Sequence, residues 1–180
     1  MTLQIKNNIT GVIIKELKQH ADDRGFFSEI IRYNEPIFSE GVFAQWSHSR
    51  MQKDVVKAWH YHHQQTDWWY VASGLVQVVL IDNRSECPSY KERIQFLAGE
   101  KALGSSPISV KIPPGVLHGL KVLSDKADLF YITSKTYDPN DEGRIPFNAP
   151  EIGYNWGSDV ITVERDRKAF TPTYKREEER

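Results

Sequence analysis

The chain has 180 residues, 39% of them hydrophobic and 26% charged, which is the composition of an ordinary soluble globular protein of about one domain. Its 23 basic and 24 acidic residues leave a net charge of −1, which argues against nucleic acid or a membrane surface as a partner. No apolar run approaches the roughly 20 residues of a membrane span. The first ten residues have no signal-peptide core. The single cysteine, Cys87, excludes an internal disulfide and a thiolate metal cluster. A free thiol suits a reducing cytoplasm, and Glu86 beside it disfavours a thiolate nucleophile.

One domain over residues 1–180 is expected, with its core at about 9–156 and an extension at 157–180 that packs back on the core. In chain order, a short helix is expected around Glu35 to Glu40. Strands are expected at Val55-Val56, Trp68–Val71, Val76–Ile81, Ile108–Ile112, Leu120–Leu123 and Leu129–Ile132, all short and rich in β-branched or aromatic residues. Turn residues separate them at Ser73-Gly74, Asp82-Asn83, Gly104 to Pro107 and Pro113 to Gly115. A second short helix is expected within Asp159 to Lys168, and Lys175 to Arg180 reads as a frayed, solvated tail. Short strands at intervals of roughly ten residues, without long helices between them, point to an all-β sandwich or barrel. Trp46, Trp59, Trp68 and Trp69 are expected to fill the barrel or a subunit interface, or in one case to stack on a ligand ring.

Histidines carry the first chemical signal. On a strand, His60 and His62 project to one face and His63 to the other. Asp67 follows, placed to point into the barrel on the next strand with Trp68 outward and Trp69 inward, and His118 comes later. Imidazole nitrogens and a carboxylate from neighbouring strands suit Fe(II), Mn(II), Ni(II) or Zn(II). The same residues also read as polar interior side chains satisfied by hydrogen bonds, and both readings stay open here.

The spacings His60-x-His62-x4-Asp67-x6-Gly74 and Pro113-x-Gly115-x2-His118 resemble the two motifs of the cupin superfamily, which implies a jelly-roll β-barrel. Asp67 stands where that superfamily usually has Glu. From about Ile9 to Asp166 the chain resembles one cupin branch, the dTDP-4-dehydrorhamnose 3,5-epimerase family. The matching stretches include Asp23-Arg24-Gly25-Phe26-Phe27-Ser28-Glu29, Lys57-Ala58-Trp59-His60-Tyr61-His62, Asp82-Asn83-Arg84, Ile112 to Gly119, Tyr137-x-Pro139, Phe147-Asn148-Ala149-Pro150 and Ile152 to Trp156.

The resemblance implies a cytoplasmic homodimer that epimerises a nucleotide-linked 4-keto-6-deoxysugar through an enolate and requires no cofactor. It implies His60 as the base, oriented by Asp166, and Tyr131 as the acid on the opposite face. An imidazole suits the base role because its unperturbed pKa is about 6.5. It also implies Arg24, Glu29, Gln45, Lys57, His118 and Glu142 as substrate contacts, with Arg24 reaching the diphosphate across the dimer interface.

This chain departs from the family pattern at four positions. Asp67 replaces the family's active-site Lys, Lys57 an Arg, His62 a Gln and Ser47 an Asn. Two of these changes restore a metal-cupin pattern, so the alternative is a metal-dependent enzyme on another small substrate. In that reading His60, His62, Asp67 and His118 hold a divalent cation. A non-catalytic sugar-nucleotide-binding protein is the third reading.

Overall fold

The computed structural model describes residues 5–38 and 41–172. Twelve strands run in chain order as β1 (Ile13–Glu16), β2 (His20–Asp22), β3 (Gly25–Phe27), β4 (Gln45–Gln52), β5 (Val56–His62), β6 (Asp67–Ser73), β7 (Leu75–Asp82), β8 (Arg93–Gly99), β9 (Ile108–Ile112), β10 (Val116–Val122), β11 (Lys126–Thr133) and β12 (Glu142–Arg144). Ten of them form two five-stranded sheets, ordered β1-β9-β6-β11-β4 and β12-β5-β10-β7-β8, while β2 and β3 form a separate hairpin. Together these make the jelly-roll sandwich expected of a cupin.

The main core lies between the sheets. Strand β7 shows how the sequence builds it. Val76, Val78 and Leu80 point inward and pack with Val110, Ile112, Leu120 and Leu129. Val79 and Ile81 point the other way and are buried as well, against Trp59, Leu117 and Trp156. A strand covered on both faces reads as a continuous apolar run, and residues 78–81 do so. The outer cover comes from the segment with Ile145, Phe147, Ile152, Tyr154 and Val160. On the outer face of the first sheet, Trp68 packs on Ile37 and Phe38, and its indole N–H donates to the Ile37 carbonyl at 2.7 Å.

One helix expectation needs correction and one is met in part. Over the described part of Glu35 to Glu40, residues 35–38 form successive turns, with Phe38 N–H donating to the Glu35 carbonyl at 2.9 Å. Burial of Ile37 and Phe38 under Trp68 sets this path in preference to helical propensity. Glu40 itself lies outside the described residues. In 159–168 the expected short helix is present as a 3-10 turn at Glu164–Arg167, and Ile161 before it is drawn into a parallel bridge with Val55. The tail at Lys175 to Arg180 also lies outside the described residues.

Strand β4 has no apolar run to mark it, whereas β8 alternates Ile94, Phe96 and Ala98 into the core. Both are edge strands, and inward-facing Gln45 and Ser49 on β4 are polar because they line a pocket. Among the described residues, no helix is long and apolar enough to cross a membrane.

Candidate active site

A cavity of about 130 Å³ lies between the sheets. It is lined by Gln45, Lys57, His60, His62, Asp67, His118, Tyr131 and Glu142, together with Ser49, Gln65, Trp69, Tyr137 and Arg165. How β5 presents its side chains depends on a local irregularity. His118 of β10 faces His60, but Leu120 faces Lys57, so two steps on β10 oppose three on β5. The extra residue is a bulge at Ala58-Trp59, which turns both of those side chains to the outer core, fully buried. Lys57 and His60 therefore share the pocket face despite being three apart. Gly119 sits opposite, where a Cβ would come within 2.7 Å of the Ala58 Cβ, so the bulge fits only against glycine.

His60 is turned toward the C-terminal segment. Its Nε2 lies 3.0 Å from Oδ1 of Asp166, a residue only 1% exposed. The turn at Glu164–Arg167 delivers that carboxylate, and Phe147 N–H anchors the turn by donating to the Asp166 carbonyl at 2.9 Å. A carboxylate on one ring nitrogen fixes the tautomer and the ring orientation. Tyr131 stands on β11, in the other sheet, flanked by Ser47 of β4 and Trp69 of β6. His60 and Tyr131 thus come from facing sheets and border one cavity.

Two basic side chains occupy the same cavity. Lys57 Nζ donates to the Ser49 hydroxyl at 2.7 Å, and burial and the neighbouring Arg165 both lower its pKa. Gln45 holds the rim: its Nε2 donates to Ser47 Oγ at 2.9 Å, and its Oε1 accepts from Tyr137 N–H at 3.0 Å. Glu142 accepts from Arg144 at 3.1 Å.

Deeper in the cavity, His62, Asp67 and His118 converge from β5, β6 and β10, and one ligand atom from each lies within 4.8 Å of the others. Asp67 is buried beside two neutral donors. Gln65 Nε2 reaches Oδ1 at 2.7 Å and Trp69 Nε1 reaches Oδ2 at 3.1 Å. Burial pushes this carboxyl up from the usual carboxylate range. His118 Nδ1 lies 3.2 Å from the Val116 carbonyl, and burial followed by the charges of His62 and His60 holds its imidazole well below the usual value. The 63–65 turn hangs on Asp141, whose carboxylate accepts the backbone N–H groups of His63, Gln64 and Gln65 at 2.8–3.1 Å.

Trp68 points away from the cavity and Trp69 lines it, edge-on to His118 at 5.2 Å between ring centres. Trp46 is 66% exposed on the sheet edge. Arg24 and Glu29 do not line this chain's cavity. Arg24 lies at the turn of the β2–β3 hairpin, its side chain 88% exposed and paired with Asp22, and Glu29 lies just beyond β3, also exposed. Arg165 and Gln65 are pocket residues that sequence reading missed. Their signals were adjacency to Asp166 and a place between His62 and Asp67.

With this geometry in view, comparison with known proteins is informative. The family model for dTDP-4-dehydrorhamnose 3,5-epimerase matches residues 6–173. The spore coat polysaccharide biosynthesis protein SpsL of Bacillus subtilis is 39% identical over 154 residues, covering 84% of this chain and 98% of that protein. The dTDP-4-dehydrorhamnose 3,5-epimerase of Salmonella typhimurium is 32% identical over 164 residues, covering 87% of this chain and 86% of that protein. The crystal structure of a Legionella pneumophila dTDP-6-deoxy-D-glucose-3,5-epimerase, in complex with dTDP-4-keto-L-rhamnose, superposes with a TM-score of 0.82 at 29% identity, covering 96% of this chain and 98% of that one.

Proposed function

The chain belongs to the dTDP-4-dehydrorhamnose 3,5-epimerase family, and from that premise we propose that it is an epimerase acting on a nucleotide-linked 4-keto-6-deoxysugar. One observation carries the reading: an imidazole on one sheet, backed by the buried Asp166 carboxylate of the C-terminal turn, and a tyrosine on the facing sheet border the same cavity. Inverting a carbon next to a ketone requires a proton to leave one face and return to the other. His60 removes the proton, oriented through Nε2 by Asp166, and Tyr131 supplies one from the opposite side.

Lys57 and Arg165 give the cavity the positive charge that an anionic substrate needs. Their mutual repulsion, part of what lowers the Lys57 pKa, is relieved when an anion sits between them. Gln45, His118 and Glu142 are placed to contact the sugar.

The assembly we propose is a homodimer. Among the described residues β4 pairs on one side only, and the β2–β3 hairpin displays Phe26 and Phe27 at 57% and 65% exposure. In a dimer the hairpin brings Arg24 and Glu29 to the partner's pocket, which explains why neither reaches its own. A cytoplasmic site of action fits a free thiol and a nucleotide-linked substrate.

Proton NMR of the sugar after incubation with a nucleotide-linked 4-keto-6-deoxysugar tests the reading. Inversion at a carbon flanking the ketone is expected for the wild-type protein, with a 10²- to 10⁴-fold slower rate for His60→Asn, the range for losing a general base. A substrate that binds and is returned with unchanged configuration by the wild-type protein would overturn it.

A further inference from the structure

Proton transfer by His60 and Tyr131 makes the ketone oxygen an oxyanion for as long as the proton is off carbon, and an oxyanion inside a cavity needs a donor. Most charged groups in and beside the cavity already have partners. Glu142 accepts from Arg144 at 3.1 Å. Asp67 is held by the Gln65 amide and the Trp69 indole, with His62 3.9 Å away. Asp166 has His60 at 3.0 Å and Arg165 Nε at 3.7 Å. Lys57 is the exception. Among the described residues its ammonium forms no ion pair, and its hydrogen bond goes to the Ser49 hydroxyl at 2.7 Å.

The place of that ammonium follows from the bulge at Ala58-Trp59, which sets Lys57 on the cavity face beside His60. Its side chain leaves β5, the strand of the base, and ends against Ser49 on β4, in the sheet of the acid. Ser49 lies two residues from Ser47, the β4 residue paired with Tyr131. Lys57 therefore crosses the gap between the sheets, where a sugar ring has His60 on one side and Tyr131 on the other. An ammonium carries three N–H donors, so donors remain for a ligand after Ser49 takes one. Arg165, the other cation lining the cavity, is placed differently. Its side chain is 54% exposed, which suits a hydrated diphosphate at the mouth. Lys121 shows a structural lysine in the same fold, its Nζ donating to the Trp156 carbonyl at 2.7 Å with Asp54 3.8 Å away.

We propose that Lys57 is a further catalytic residue of the epimerisation, donating to the ketone oxygen as it becomes the enolate oxygen. The proposal rests on the epimerase reading and adds the group that receives the charge. His60 takes the proton from carbon, and the electron pair of that C–H bond moves through the new C=C bond to charge the carbonyl oxygen. The Lys57 N–H groups hold this oxygen until Tyr131 delivers a proton to the opposite face of the carbon and the carbonyl re-forms. Lys57 keeps its own protons throughout, and His60 and Tyr131 return to their starting states by exchange with water. Burial and the neighbouring Arg165 lower the Lys57 pKa, which makes its N–H groups stronger donors to an oxyanion. The oxyanion in turn supplies the negative charge that the ammonium lacks in the free protein.

The test uses Lys57→Met, which keeps an unbranched side chain and removes the charge. Turnover of a nucleotide-linked 4-keto-6-deoxysugar is followed by NMR in deuterated water, and binding of dTDP alone is measured by calorimetry. At saturating substrate, hydrogen exchange next to the ketone and inversion are both expected to fall by at least about 100-fold, within the range for losing one oxyanion donor. The dTDP dissociation constant is expected to change by less than about threefold, the split that marks an interaction made in the transition state. Loss of exchange together with inversion separates Lys57 from Tyr131, whose removal spares exchange. Lys57→Arg, which keeps a cation, is expected to regain at least about tenfold over Lys57→Met. Circular dichroism checks that each variant is folded. Exchange at the wild-type rate in folded Lys57→Met, a loss confined to dTDP affinity, or Lys57→Arg no faster than Lys57→Met would each overturn the proposal. These outcomes are read against a wild-type protein that inverts the sugar, so they leave the epimerase reading intact. A sugar returned unchanged by the wild-type protein would overturn that reading and this proposal with it.

Discussion

Asp82 and Asp67 are both buried carboxylates at strand ends, 0% and 4% exposed, and their surroundings differ. Asp82 closes β7 with a charged partner. Arg84 grips it through Nε and Nη2, both at 2.7 Å, and Ser89 donates to the second oxygen at 2.5 Å. Burial alone would raise its pKa, but these bonds hold the carboxyl well below the usual carboxylate range. Arg84 also reaches the Thr10 carbonyl at 2.7 Å, so the cluster latches the N-terminal segment to the barrel. Asp67 has only neutral donors, and burial pushes its pKa upward. The first arrangement stabilises the fold. The second keeps a carboxylate in reserve inside a cavity, which is where functional sites accept poor solvation.

This contrast is broken most directly at Asp82. Asp82→Ala is expected to destabilise the protein by about 3 kcal/mol, the cost of taking one partner from a buried charge-assisted network. Urea unfolding at pH 7 measures it. Loss below about 1 kcal/mol would show that the latch contributes little.

Acid sharpens the same point. Asp82 has a depressed pKa, and so does Asp128, held at about 2 by hydrogen bonds from Arg50 and then His48. A depressed carboxylate contributes stability that is complete above its unfolded pKa of about 3.9 and is lost as pH falls through the folded value. Stability is therefore expected to drop between about pH 4 and pH 2. Asp82→Asn, measured by unfolding at pH 5 and pH 3, is expected to show a shallower fall than wild type.

Asp67→Asn is the counterpart. With no charged partner to lose, it is expected to change stability by less than about 1 kcal/mol or to raise it. A loss as large as that of Asp82→Ala, in the same urea assay, would mean that Asp67 is a structural carboxylate too.

The smallest effect on stability is expected at Arg24. Its pair with Asp22 is fully exposed, so Arg24→Ala is expected to leave the unfolding curve unchanged. In the proposed dimer the same change is expected to weaken nucleoside diphosphate binding at least tenfold by calorimetry. Unchanged affinity would remove Arg24 from the partner's pocket.

Much of the inner barrel was legible in the sequence because strand alternation is a simple rule. It put His60 and His62 on one face, Asp67 inside and Trp68 outside. The rule fails where the ladder is irregular. Alternation alone would put Lys57 and His60 on opposite faces; family resemblance named both as site residues, and the register between β5 and β10 shows how they meet, since the bulge at Ala58-Trp59 breaks the period of two. Strand β4 was illegible for a different reason, because its inner face carries pocket polarity in place of core apolarity. The partner of His60 lies 106 residues along the chain. Family resemblance pointed to Asp166, and no local pattern could have done so. Nor could any pattern show that His60 turns to that carboxylate and leaves His62, Asp67 and His118 as a separate group.

The central claim is that His60 and Tyr131 work on opposite faces of one sugar carbon. Hydrogen exchange in deuterated water, followed by NMR on a nucleotide-linked 4-keto-6-deoxysugar, tests it most directly with Tyr131→Phe. The proposed mechanism predicts that this variant still exchanges the proton next to the ketone, because His60 removes and returns it on one face, while inversion falls by at least 100-fold, within the range for losing a general acid. Inversion at the wild-type rate in Tyr131→Phe, or exchange that persists undiminished in His60→Asn, would contradict it.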